Sequence, residues 1–138
     1  MISKLKLEIN KMLSQNFHEI NIYDDAMKQG FTKPCFFVQV LSSKQVKELN
    51  RRYKEVIYFD VNYLSNKESI NLDYFNMADT LYKTLEYIEV DNKKYRVSNK
   101  EHEISEGILH FKFQVKFNLL KIIEEVNMNK MGVDIVGK

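Results

Sequence analysis

Apolar positions recur along this chain with two different periods, and the change of period marks its elements. Ile2, Leu5, Ile9, Met12, Leu13 and Asn16 follow helical spacing, which predicts a first helix over Ile2–Asn16. Ser3 is its candidate N-cap. Leu7 lies off the apolar stripe and reads as a contact outside the monomer core. Phe17 and the run Ile20–Tyr23 predict a short strand, and Asp24 and Asp25 begin a loop. Lys28–Pro34 is the entry loop to the central strands, with Gly30 free of Cβ constraints and Pro34 suited to a strand start.

Cys35–Leu41 is apolar on both faces apart from Gln39, the pattern of a strand covered on both sides. Ser42–Arg52 is polar, charged and too long for a tight hairpin loop. It reads as either a projecting β extension or a short helical turn. Tyr53–Leu64 then alternates. Tyr53, Ile57, Phe59, Val61 and Tyr63 point to one face; Lys54, Tyr58, Asp60 and Asn62 point to a polar one, with Val56 an exception. Ser65–Asn71 is a loop. Leu72–Tyr87 predicts a second helix with a stripe of Leu72, Phe75, Ala78, Leu81, Tyr82, Leu85 and Ile88, capped by Asn71 and with Asp73 at its positive start.

Ile88–Val90 and Tyr95–Val97 predict a small hairpin through Asp91–Lys94. Asn99–Ser105 and Ile108–Leu120 predict a larger one, turning at Glu106-Gly107. Pairing Ser105 with Ile108 sets Ile104 against Leu109, Glu103 against His110, His102 against Phe111 and Glu101 against Lys112. Apolar groups then share one face and opposite charges pair on the other. The weak turn dipeptide leaves a bulged alternative, shifted by one, open. Ile108–Leu120 alternates cleanly and would reach roughly 40 Å, long for so small a domain. The whole is an α+β fold: a mainly antiparallel sheet, two principal helices packed on it and β-hairpin extensions. Residues 1–122 form one domain, and residues 123–138 a flexible arm.

Composition narrows the chemistry. With 21 Lys+Arg against 19 Asp+Glu the net charge is +2, and the charges are interspersed. That net charge is too small to argue for nucleic-acid binding by counterion release, and no sequence-specific nucleic-acid partner is expected. No run approaches the roughly 20 apolar residues of a membrane span. Cys35 is the only cysteine, so no intrachain disulfide forms; within its apolar run it reads as a buried small side chain rather than a nucleophile.

His102 and His110 point to opposite faces in the register above, so they do not share a metal ion; they read as a packed His102 and a cross-strand Glu103–His110 pair. No nucleophile elbow, Walker loop or dinucleotide glycine pattern is present. The sequence therefore predicts no enzyme, no cofactor and no metal. Arg51, Arg52 and Lys54 between Tyr53 and Tyr58 leave a nucleic-acid-binding module as an alternative, against a plain solvated strand end.

Four stretches carry a family resemblance: KQGFTKPCFFVQV from Lys28, NRRYKEVIYFDVNYL from Asn50, MADTLYKTLEYIEV from Met77, and KYRVSNKEHEISEGILHFKFQVKF from Lys94. In this order and spacing they resemble the tail terminator proteins of bacteriophages, nearest to the small terminators of Gram-positive prophages and phage-like tail particles. The resemblance spans Leu5 to Phe117. It implies a structural protein without cofactor that acts as a homohexameric ring, on its own a monomer or an oligomer. The ring would cap the head-proximal end of the tail tube, end tube polymerisation and offer a docking surface to neck or head. The implied partners are the tube protein, a sheath terminal ring and neck or head-completion proteins. The implied location is the host cytoplasm during assembly and the virion or tail particle afterwards. Another neck or tail completion protein is the structural alternative.

A ring needs a contact between unlike surfaces. The exposed polar insert and the far end of the last strand are the expected subunit contacts: Lys44, Gln45, Lys47, Glu48, Arg51, Arg52, Lys116, Asn118, Leu120 and Ile122. No pattern is matched beyond Leu120.

Overall fold

In the computed structural model, residues 1–23, 31–49 and 52–120 are described. The elements run α1 (Ile2–Asn16), β1 (Asn21–Tyr23), β2 (Cys35–Lys47), β3 (Arg52–Leu64), α2 (Ile70–Thr84), β4 (Tyr87–Val90), β5 (Lys93–Ser105) and β6 (Ile108–Leu120). The strands form one curled, mostly antiparallel sheet in the order β1-β2-β3-β6-β5-β4. The fold is α+β as the sequence predicts. No described helix is long and apolar enough to cross a membrane.

The chain divides into two compact units. One holds Met1–Ser43 and Ile57–Lys116; the other holds Lys44–Val56 and the end of β6 from Phe117.

The core of the first unit follows from the two periodicities. In α1, Leu5, Ile9 and Leu13 lie one turn apart and are fully buried, while Leu7 is 57% exposed. The helix ends where the Phe17 N–H bonds the Leu13 carbonyl at 2.8 Å. Burying each Leu or Ile contributes about 1.5–3 kcal/mol. The chain then forms β1, which pairs parallel to β2 with Asn21 opposite Cys35. The Asn21 N–H bonds the Pro34 carbonyl at 3.2 Å, so the proline stands just before the strand, where its missing donor costs nothing.

Aromatic rings knit helices to sheet. Phe36 contacts Phe17 of the α1 end and Tyr63 of β3 at 5.3 and 5.2 Å; Tyr63 meets Tyr74 of α2 at 5.7 Å. Phe59 stacks on Phe113 at 5.4 Å, and Tyr82 of α2 meets Phe111 edge-on at 4.9 Å. Such pairs add about 0.5–1.5 kcal/mol beyond their buried area. Phe37 instead packs with Tyr23 and Phe31, as expected for the neighbour of Phe36 on an alternating strand.

Several expectations are corrected. Neither Ser3 nor Asn71 caps its helix. α1 begins after Met1 and α2 after Ser69, without a side-chain cap bond at either. Asp73 does lie in the first turn of α2. That helix starts and ends earlier than predicted, and its buried stripe is Tyr74, Met77, Ala78 and Leu81. Leu72 and Phe75 are 62% and 55% exposed. The helix is rotated because Tyr74 is amphipathic: its ring fills the core while its hydroxyl reaches polar partners at the core margin.

The presumed polar face of β3 is covered, and Asp60 and Asn62 are buried. The insert after Leu41 is a β extension, not a helical turn, since β2 runs on to Lys47 and β3 starts at Arg52. The β4–β5 turn has two residues, Asp91 and Asn92, rather than four; both take positive φ, the conformation that matches strand twist. β5 is one strand, with the register shift between Ser98 and Glu101 where Asn99 also has positive φ. That one extra residue is a bulge.

The register of β5 with β6 is the predicted one, from Ser105↔Ile108 to Glu101↔Lys112. Its two-residue turn puts Glu106 and Gly107 at φ 53 and 75. The bulged alternative is thereby removed. Gly30, the Asp24–Asp25 loop and the 123–138 arm lie outside the described residues.

Candidate interaction surfaces

The residues expected to make subunit contacts fall on two strand ends. Lys44, Gln45 and Lys47 close β2 and are exposed; Glu48 is half-exposed; Arg52 opens β3 and is exposed. The Glu48 N–H bonds the Arg52 carbonyl at 2.6 Å and the Arg52 N–H bonds the Leu49 carbonyl at 3.3 Å, closing the hairpin. Leu49 stands at this tip 85% exposed, and Val46 is exposed beside it. Lys116 and Asn118 are exposed on β6, and Leu120 is its last residue. Lys44–Val56 and the β6 end from Phe117 belong to one compact unit, so the two predicted stretches are brought together there; Lys116 is counted with the other unit. Arg51 and Ile122 lie outside the described residues.

A second surface was not predicted. Leu72 and Phe75, one helical turn apart, are exposed on α2. Phe75 meets the His102 ring edge-on at 6.5 Å, and His102 Nδ1 lies 2.9 Å from the Tyr82 hydroxyl. Ile104, two residues along β5, is also exposed. His102 is therefore an exposed partner of α2 rather than a packed core residue. Burial raises the Tyr82 pKa, and the carboxylates of Glu101 and Asp79 raise it further, which sets both acids close by. The sequence signal was present in Leu72 and Phe75, but the helical stripe was assigned to the core.

A third feature is a groove of about 460 Å³ between α1 and β1, lined by Leu7, Lys11, Ser14 and Ile22 among others. Leu7 was the residue expected to contact something outside the core.

The middle strands hold a buried polar cluster. His110 Nδ1 lies 2.9 Å from Asp60 Oδ2. In one amide orientation Asn62 donates to Gln39 Oε1 at 3.3 Å; turned over, its nitrogen reaches both Asp60 oxygens at 2.9 and 3.0 Å. Burial raises the Asp60 pKa, against the opposing effect of His110. Glu103 and His110 are cross-strand partners as expected, but their side-chain bonds go elsewhere: Glu103 bonds Lys112 at 3.0 Å and His110 bonds Asp60 on the neighbouring strand. Asp60 and Asn62 within an apolar strand, with His110 on the next, were the sequence signal for this cluster.

Cys35 is fully buried and its thiol pKa is raised by burial, the condition of an inert thiol. Among the described residues no three His, Cys, Asp or Glu side chains converge as metal ligands.

Long exposed β extensions and exposed apolar patches are features of proteins that bind other chains. A family model described as phage tail terminator protein matches residues 4–127. The chain belongs to that family, whose members are structural components of phage tails. No curated protein matches it. One solved structure is 13% identical, covering 91% of this chain and 99% of its own, with a TM-score of 0.39.

Proposed function

We propose that this protein is the terminator of a phage or phage-like tail. Copies assemble as a homohexameric ring on the head-proximal end of the tail tube, end its polymerisation and offer the surface onto which neck or head docks. Assembly takes place in the host cytoplasm, and the product stays in the particle. The tube protein is the first partner; a sheath terminal ring and neck proteins are further ones.

The observation that carries this reading is the family match over residues 4–127. The exposed β2–β3 hairpin supports it physically. A ring requires each copy to present two unlike, complementary surfaces, and a hairpin with Val46 and Leu49 exposed is one such surface. The mechanism is occupation of a place. A ring that binds the last tube layer but does not copy that layer's growing surface leaves the next tube subunit nowhere to add.

The test is deletion of the gene followed by electron microscopy of tails. Tails of uncontrolled length, restored by the intact gene, are the expected result. Tails of normal, fixed length overturn the reading.

A further inference from the structure

We propose that the tip of the β2–β3 hairpin of one copy docks on the apolar strip formed by Leu72, Phe75 and Ile104 of a second copy. The proposal deepens the ring reading and rests on it for closure of the ring.

The hairpin tip is apolar at Val46 and Leu49, both exposed. In sequence, Lys44–Val56 carries five cations, Lys44, Lys47, Arg51, Arg52 and Lys54, against two anions, Glu48 and Glu55. Its partner must therefore offer an apolar seat with an acidic border. The α2–β5 strip does. Leu72 and Phe75 are more than half exposed, and Ile104 extends the apolar surface along β5. Phe75, His102 and Tyr82 are in ring contact, so the floor is continuous. Asp79 and Glu101 act on Tyr82, so they border that floor with negative charge, while the nearby Lys100, which bonds the Tyr82 carbonyl at 3.0 Å, is offset by its pair with Glu86 at 2.9 Å.

The groove beside Leu7 is the competing seat. Its lining has one charged residue, Lys11, which opposes a cationic hairpin. Charge thus selects the α2–β5 strip. Hairpin and strip are different surfaces of one chain, so the contact is heterologous and each copy both gives and receives. Covering Leu72, Phe75 and Leu49 together removes the three most exposed apolar side chains of the described residues apart from Leu7.

The experiment mixes two differently tagged populations of the full chain, Leu49→Cys and Phe75→Cys, under mild oxidation. Both positions are exposed, so folding is retained, and buried Cys35 stays silent. The expected product is a mixed disulfide dimer, at about tenfold or more over a control mixture of Leu49→Cys with Leu7→Cys. Absence of the Leu49–Phe75 link, or a Leu49–Leu7 link in equal or greater yield, overturns the proposal. The ring reading fails separately. If Phe75→Asp restores tail length in the deletion strain as well as the intact gene does, the docking is overturned and the terminator stands. If the deletion strain makes normal tails, the terminator reading falls, while the disulfide still decides the docking.

Discussion

The Tyr74 hydroxyl donates a 2.6 Å hydrogen bond to the Gly107 carbonyl, tying the first turns of α2 to the tip of the β5–β6 hairpin. The same oxygen lies 3.4 Å from the Ser65 N–H. Tyr74 is almost fully buried, so removing the hydroxyl takes a partner from the Gly107 carbonyl and the acceptor from the N–H of buried Ser65. Tyr74→Phe is expected to cost about 1–2 kcal/mol in chemical denaturation, with an unchanged denaturant slope.

The turn itself gives a prediction of opposite sign. Glu106 sits at φ 53, where a side chain is strained, and Asn is the favoured residue at the first position of such a turn. Glu106→Asn should stabilise the protein by about 0.5–1 kcal/mol, seen as a higher midpoint. Gly107→Ala should destabilise it by about 1 kcal/mol through backbone strain alone, because a Cβ there meets no atom within 4 Å.

Asp73 accepts a 2.8 Å bond from the Tyr63 hydroxyl and pairs with Lys67 at 3.3 Å. Burial pushes its pKa up, but the bonds from Ser65, Tyr63 and Lys67 outweigh this and leave it below the usual value. A lowered folded pKa stabilises above the unfolded value of about 3.9, and that contribution is lost as pH falls through the folded value. Asp73→Asn should cost about 1–2 kcal/mol at neutral pH. The difference from wild type should shrink on acidification below about pH 4. A denaturation series across that range reads it directly.

Asp60 has the opposite sign. Burial raises its pKa, so the folded state holds the proton longer than the unfolded one. Its contribution is fully present below the unfolded value of about 3.9 and declines as pH rises through the raised folded value. Asp60→Asn should therefore gain on wild type across that rise, before the loss of the His110 partner sets a constant offset. Stability curves of the two proteins that stay parallel from acid to neutral pH would contradict this.

Leu5 and Leu7 share one helix but not one environment. Leu5→Ala should cost about 2–5 kcal/mol, because a fully buried side chain leaves a cavity. Leu7→Ala should change stability by no more than about 0.5 kcal/mol. Thermal denaturation of both variants distinguishes them.

Sequence pattern made the strands legible where one period dominated. The bounds of Ile108–Leu120 and the inward set Leu109, Phe111, Phe113 and Val115 were readable, and its pairing with β5 followed from charge and apolar matching of Glu101–Ser105. Helix α1 was readable because Leu5, Ile9 and Leu13 form an unambiguous stripe. Helix α2 was misjudged because Leu72 and Phe75 are as apolar as core residues, while buried Tyr74 and Met77 carry weaker signals. The cluster of Asp60, Asn62 and His110 was misread for a related reason: alternation assigns polar residues to water, and the signal of two polar residues within an apolar strand gains meaning only once their burial is seen. The exposed strand extension to Lys47 was readable in the polar insert, but the exposed strip on α2 and β5 required the packing of Tyr82 and His102.

The sheet ends in strands of three and four residues, β1 and β4, although its inner strands run to thirteen. β1 covers only Cys35–Phe37 of β2 and β4 only Lys93–Arg96 of β5, so among the described residues the longer strands carry most of the border, and the charges along them at Lys44, Lys47, Glu101 and Glu103 are what discourages fibril-like stacking. Charge spaced along a strand edge turns away indiscriminate backbone pairing and leaves recognition to side-chain fit.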